Sequence, residues 1–166
     1  VRSSTYTGLQ NGRQYRWRVT FHNVGGNSAS SRYVYLTPAA VPTTPQVPRW
    51  LTASTSQIRY AWWKSTARGT PVTSYSVSVR ARTSSGYTTW RQTQVSASVL
   101  NYNWTTVTRG CSYQVTVKAN SAVGSSAAPP ADTRGARTSA RVAVADPGAR
   151  VAASQRARCP SPPVPA

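Results

Sequence analysis

The chain has 166 residues, 20 basic against 2 acidic, and a formal net charge of +18. All the basic residues but Lys64 and Lys118 are Arg, there is no Glu, and the only acids are Asp132 and Asp146. That excludes a paired-glutamate acid–base site and leaves poor material for a glycosidase or a cation cage. The single histidine, His22, cannot build a histidine metal site. No apolar run approaches the ~18 residues needed to cross a bilayer, and no segment reads as a signal peptide. The chain neither begins with Met nor contains one, which predicts a processed chain or a piece of a longer one.

Apolar residues make up 39% of the chain, a low value that together with the charge pushes toward disorder. Six Trp and nine Tyr push the other way, because aromatics bury large areas and anchor cores. All of them lie between Tyr6 and Tyr113; after residue 134 the text is Ala, Arg, Ser, Val and Pro. The composition therefore divides the chain into a folded part and a low-complexity extension.

Helical periodicity is nearly absent, whereas alternation with period two is abundant. In chain order, Tyr15–Phe21 places Tyr15, Trp17, Val19 and Phe21 on one face and Arg16, Arg18 and Thr20 on the other. Ile58–Trp62, Tyr75–Arg82 and Tyr113–Ala119 repeat the pattern. Each predicts a strand with one buried face, as in antiparallel sheets. Asn11-Gly12, Gly25-Gly26, Arg68-Gly69-Thr70-Pro71, Ser85-Gly86 and Arg109-Gly110 predict the turns between them.

The chain also repeats itself. Thr7, Leu9, Gly12, Tyr15, Val19 and Gly26 recur as Thr105, Val107, Gly110, Tyr113, Val117 and Gly124, always at the same spacing along the chain. A period of about 100 residues fits one β-sandwich. Residues 38–48, with four prolines, then predict a stiff linker between two copies.

These residues resemble the fibronectin type III family. Residues 45–134 are similar to one complete domain. Ile58-x-Tyr60-x-Trp62 matches the strand with the core Trp. Thr70-Pro71-Val72-Thr73-Ser74-Tyr75-x-Val77 matches the next strand. Val107-x-x-Gly110-x-x-Tyr113-x-Val115-x-Val117 matches the tyrosine-corner strand. Residues 1–37 resemble only the C-terminal half of such a domain. The resemblance implies an all-β, immunoglobulin-like β-sandwich fold, one copy partial and one complete. It implies a structural core of Tyr15, Trp17, Trp62, Tyr75, Tyr113 and Val117, no catalytic or metal site, and no cofactor. The half copy would leave Trp17, Val19 and Phe21 facing water. A longer parent chain or a half not traced is preferred over strands supplied by another chain, the rarer solution.

Residues 135–166 predict a basic Ala/Arg/Ser/Pro extension carrying Arg137, Arg141 and Arg150, with a small hairpin at Asp146-Pro147-Gly148. Cys111 and Cys159 are expected as free thiols, a disulfide being the alternative. His22 is expected as a solvated strand residue. Arg68-Gly69-Thr70 lacks the acid of the integrin-binding tripeptide, and integrin-type adhesion is rejected.

The candidate interaction surface comprises Arg16, Arg18, Arg80, Arg82, Lys118, Arg137, Arg141 and Arg150. Aromatics on the inward phase of the same strands read as core rather than as base-stacking platforms, which disfavours nucleic acid. The expected partners are neighbouring protein subunits and an anionic cell-surface polymer, with no membrane span. The expected function is a non-enzymatic structural or adhesion module of an extracellular assembly, led by a phage virion protein of the tail or its decoration. The alternatives are a spacer module of a secreted polysaccharide-degrading enzyme and a basic nucleic-acid-binding protein.

Overall fold

A computed structural model describes residues 3–54, 56–83, 86–105, 107–108, 111–130 and 136–137. The predicted hairpin around Asp146, together with Arg141, Arg150 and Cys159, lies outside the described residues. All described elements are strands.

In the second copy, β5 (Arg49–Ala53), β6 (Gln57–Ala61) and β9 (Asn101–Thr105) form one antiparallel layer in the order β5-β6-β9. The other layer runs β11-β10-β7-β8, from β7 (Val72–Thr83), β8 (Gly86–Ser96), β10 (Ser112–Ser121) and β11 (Gly124–Ser125). This is an immunoglobulin-like β-sandwich, a three-stranded layer facing a five-stranded one whose fifth strand is described below. Period-two alternation explains the core: β7 turns Tyr75, Val77, Val79 and Ala81 inward, and β10 turns in Tyr113, Val115, Val117 and Ala119. Ile58, Tyr60, Trp62 and Trp104 meet them from the opposite layer. Trp62 stacks edge-on against Tyr75, ring centroids 5.7 Å apart, across the two layers.

The sandwich runs past residue 134. Strand β12 (Ala136–Arg137) pairs antiparallel with β10, Ser112 opposite Arg137 and Tyr113 opposite Ala136. Arg137 therefore belongs to the sheet rather than to a free extension, a correction to the expected boundary.

In the first copy, β1 (Tyr15–Trp17) pairs with β4 (Val34–Leu36), and β2 (His22–Asn23) pairs with β3 (Gly26–Asn27). The alternation over Tyr15–Phe21 predicts one unbroken strand, but the ladder changes partner type part-way. The Val19 and Phe21 amides donate to the side-chain hydroxyls of Ser31 and Ser28, both 2.9 Å, instead of to carbonyls. Their own carbonyls accept the Ser31 and Ser28 amides at 2.8 Å. The second copy repeats this: the Ala119 amide donates to Ser126 Oγ and the Ala119 carbonyl accepts the Ser126 amide.

Tyr15 and Trp17 are only half-buried, a correction to their expected place in a core. Val19 and Phe21 are 55% and 66% exposed, whereas their counterparts Val117 and Ala119 are at 0%. The physical reason is the second layer. In the complete copy β6 and β9 cover this face; in the first copy Trp17 packs on Tyr6 and Tyr15, at 6.2 and 6.0 Å.

Candidate functional site: the basic faces and the joint between the copies

Antiparallel partners opposite one another point to the same side of a sheet. Tyr15 pairs with Leu36 and Trp17 with Val34 on the inner face of the first copy, while Arg16 pairs with Tyr35 on the outer face. Arg16 and Arg18, both exposed, lie over the Tyr33 ring with their guanidinium carbons 4.6 and 5.5 Å from its centroid. At these distances each cation is attracted to the ring quadrupole. An aromatic on the outward face departs from the expectation that all strand aromatics are spent inward. Its signal lay in Tyr33-Val34-Tyr35-Leu36, where both phases are apolar. His22, exposed as expected, places Nδ1 2.8 Å from Asn27 Oδ1.

On the second copy, Arg82 and Lys118 are exposed and Arg80 is half-buried. Arg80 lies opposite Gln114, and Lys118 opposite Ser76. Between them the outer face is a lattice of hydroxyls and amides. Asn120 Nδ2 donates to Ser74 Oγ and Ser76 Oγ at 3.0 and 2.9 Å, and Gln94 Nε2 donates to Ser74 Oγ at 2.6 Å. Arg16 and Arg18 thus form one basic group on the first copy, and Arg80, Arg82 and Lys118 another on the second. No carboxylate side chain lies anywhere between residues 3 and 130. Among the described residues, His, Cys, Asp and Glu nowhere gather in threes.

The joint between the copies is built of more than the stiff linker that its prolines predict. Pro42, Pro45 and Pro48 are each buried while the residues between them are exposed. That period of three is the repeat of an extended polyproline helix lying with one edge on a surface. The Gly12 amide of the first copy donates to the Pro38 carbonyl at 2.8 Å. The Ala40 amide donates to the Arg68 carbonyl at 2.8 Å, and the Thr43 amide to the Thr66 carbonyl at 3.1 Å. Thr66 returns its amide to Thr43 Oγ1 at 2.8 Å.

Gly69 is the residue that lets the segments close. Its φ is +97°, and a Cβ there would stand 2.6 Å from the Pro38 oxygen and 2.8 Å from Ala39 Cα. The turn signal at Arg68-Gly69-Thr70-Pro71 was visible in the sequence, but not what it packs against.

Two buried tyrosines brace the sandwich beside the joint. The Tyr75 hydroxyl accepts the Ser65 amide at 2.9 Å, fixing the loop that carries Thr66, Arg68 and Gly69. The Tyr60 hydroxyl accepts a hydrogen bond from Trp104 Nε1. Burial pushes its ionisation well above the usual phenol range, a shift opposed by the Trp104 bond and reinforced by nearby Tyr102. Cys111 is fully buried and disulfide-bonded. This corrects the expectation of free thiols: a cysteine at the corner is held by a covalent bond rather than left as a small apolar filler.

No family model and no curated protein matches the chain. Among solved structures it is similar to a crystal structure of titin domains, with 23% identity and a TM-score of 0.48 over 66% of this chain and 36% of that one. It is also similar to a structure titled "Myokine structure", with 17% identity and a TM-score of 0.45 over 55% of this chain and 93% of that one. A third similarity is to the titin kinase with its flanking domains, with 21% identity and a TM-score of 0.44 over 57% of this chain and 17% of that one. The chain thus spans about a third of the first of these structures. The chain itself is an all-β protein with an immunoglobulin-like sandwich.

Proposed function

We propose that this chain is a non-catalytic spacing and assembly module. It holds consecutive β-sandwich units at a fixed separation within a larger extracellular assembly, most simply the tail or decoration of a virion. The observation that carries the reading is the joint. A tether needs no contacts with the units it connects, whereas this linker donates amides to the second copy at Ala40 and Thr43 and accepts one from the first at Pro38. Each such bond contributes roughly 0.5–1.5 kcal/mol net. Together with the burial of Pro42, Pro45 and Pro48, they favour one orientation between the copies. The basic faces supply the second half of the reading. With no acid between residues 3 and 130, Arg16, Arg18 and Lys118 are charges for a neighbour's carboxylates or for an anionic cell-surface polymer.

Backbone nitrogen relaxation on the linker tests the spacing role. Order parameters for Ala39, Ala40, Val41 and Thr43 near those of the strands, about 0.85, support a spacer. Values below about 0.6 at these amides overturn it in favour of a flexible tether.

A further inference from the structure

Asn11-Gly12 is the one Asn-Gly pair in the chain, and it forms the tip of an exposed tight turn. The Arg13 amide donates to the Gln10 carbonyl at 3.3 Å, and Gly12 takes a φ of +82°, as the third residue of a type II turn requires. The turn is held from both sides. The Gln10 amide donates to the Tyr15 hydroxyl at 2.9 Å, and the Gly12 amide donates across the joint to the Pro38 carbonyl at 2.8 Å. Gly12 also lies close against the second copy: a Cβ on it would stand 3.4 Å from Gly69 Cα.

An Asn-Gly pair carries a reaction of its own. The glycine nitrogen attacks the Asn side-chain carbonyl carbon and a five-membered succinimide closes. The side-chain nitrogen leaves as ammonia, taking the glycine N–H proton with it. Water then opens the ring at one carbonyl or the other, leaving a carboxylate as aspartate or as isoaspartate. Glycine favours ring closure because it has no Cβ to hinder it. In this chain the attacking atom is the Gly12 nitrogen, whose N–H is committed to Pro38. Ring closure therefore competes with the joint, and the nitrogen is released to react when the Gly12–Pro38 bond opens. The chemistry lies within residues 11 and 12, so it does not depend on what covers the rest of the first copy.

The products differ from the starting turn in charge and in length. Either one places a carboxylate in a stretch, residues 3–130, that otherwise has none. Isoaspartate also routes the main chain through the side chain and adds one carbon between Asn11 Cα and the Gly12 nitrogen. A lengthened turn cannot keep both the Arg13–Gln10 bond and the alignment of Gly12 on Pro38.

We propose that Asn11-Gly12 is a deamidation site gated by the joint: docking of Gly12 on Pro38 protects it, and isoaspartate formed during an opening weakens the joint irreversibly. The proposal rests on the docked joint described above, and the linker relaxation measurement tests that docking separately.

The test incubates the full chain at neutral pH beside a synthetic peptide of residues 5–18 and a G69A chain, whose added Cβ stands against Pro38 and Ala39. Isoaspartate at residue 11 is followed by peptide mapping and by isoaspartyl methyltransferase labelling. The peptide should react on the order of tenfold faster than the native chain, and G69A should move the rate toward that of the peptide. Urea below the unfolding transition makes the same comparison if G69A does not fold. Rotational correlation times of the two copies, matched in the unreacted chain, should separate in the purified isoaspartyl chain. Three results would overturn the proposal: native deamidation at the rate of the peptide, a rate unmoved by both G69A and urea, or an isoaspartyl chain whose copies still tumble together. The first of these beside a rigid linker would remove the gating and leave the spacing role standing.

Discussion

The Tyr113 hydroxyl accepts a 2.8 Å hydrogen bond from the Thr108 amide, five residues upstream. The Tyr15 hydroxyl accepts one of 2.9 Å from the Gln10 amide, again five residues upstream. The same corner is thus built twice, once over a complete core and once over an open half. The pair separates what the bond contributes from what burial contributes. Tyr113→Phe leaves a half-buried amide short of an acceptor beside a fully buried ring and should cost about 1–2 kcal/mol of unfolding free energy. Tyr15→Phe, in a half-buried setting where water can substitute, should cost about 0.5 kcal/mol or less. Urea titrations of both variants check this; equal costs would mean that burial is not what distinguishes the corners.

The close approach at Gly69 makes the joint sensitive to a single methyl. Gly69→Ala places a Cβ against the Pro38 oxygen in a backbone conformation that suits glycine. The expected cost is about 1–3 kcal/mol, shared between strain and loss of the linker contacts. Amide shift changes should concentrate at residues 38–43 and 66–70, with the β7–β10 core unmoved. Changes spread through β7 and β10 would show that the loop belongs to the core and not to the joint.

The buried Tyr60 hydroxyl gives the second copy an alkaline limit. Its ionisation is raised above the ordinary value of 10.0, so in acid and at neutrality both folded and unfolded states hold the proton and the group adds no pH dependence. Above about pH 10 the unfolded chain releases that proton while the folded chain retains it, so stability falls as pH rises. Tyr60→Phe should flatten this fall, at the expense of an unpartnered Trp104 Nε1 at neutral pH. Melting temperatures from pH 8 to 11 for both proteins provide the check.

Cys111 sits at 0% exposure beside the tyrosine corner and is disulfide-bonded. Reduction should destabilise the second copy by roughly 2–4 kcal/mol. Thiol titration of the denatured, unreduced chain should find no free thiol, and chemical denaturation with and without reductant should show the shift. Two titratable thiols would contradict the bonded state.

Much of the second copy was legible because alternation with period two is a local signal. Tyr75, Val77, Tyr113 and Val117 announce their inward phase within a few residues. The repeat was legible for the same reason, and the structure extends it to hydrogen bonds: the Ser28–Phe21 and Ser126–Ala119 pairings match bond for bond. What escaped depends on contacts between distant segments. Gly69 reads as a turn glycine until Pro38 is placed beside it. Pro42, Pro45 and Pro48 carried their spacing of three openly, but it signifies docking only once a surface lies under one edge. Tyr33 was missed because alternation assigns aromatics to the core, whereas a ring between two Arg side chains is stable in water. The edge strand at Ala136–Arg137 sits in a low-complexity text whose composition resembles the extension more than the sheet.

A docked linker joins the two copies. Hydrogen exchange at the Gly12, Ala40 and Thr43 amides measures it directly, because Gly12 donates from the first copy to Pro38 of the linker while Ala40 and Thr43 donate from the linker to Arg68 and Thr66 of the second copy. Protection within about tenfold of that of the β5 and β6 amides is expected, reflecting openings that require the joint to come apart. Exchange of these amides at unprotected rates, with β7 and β10 still protected, would contradict it.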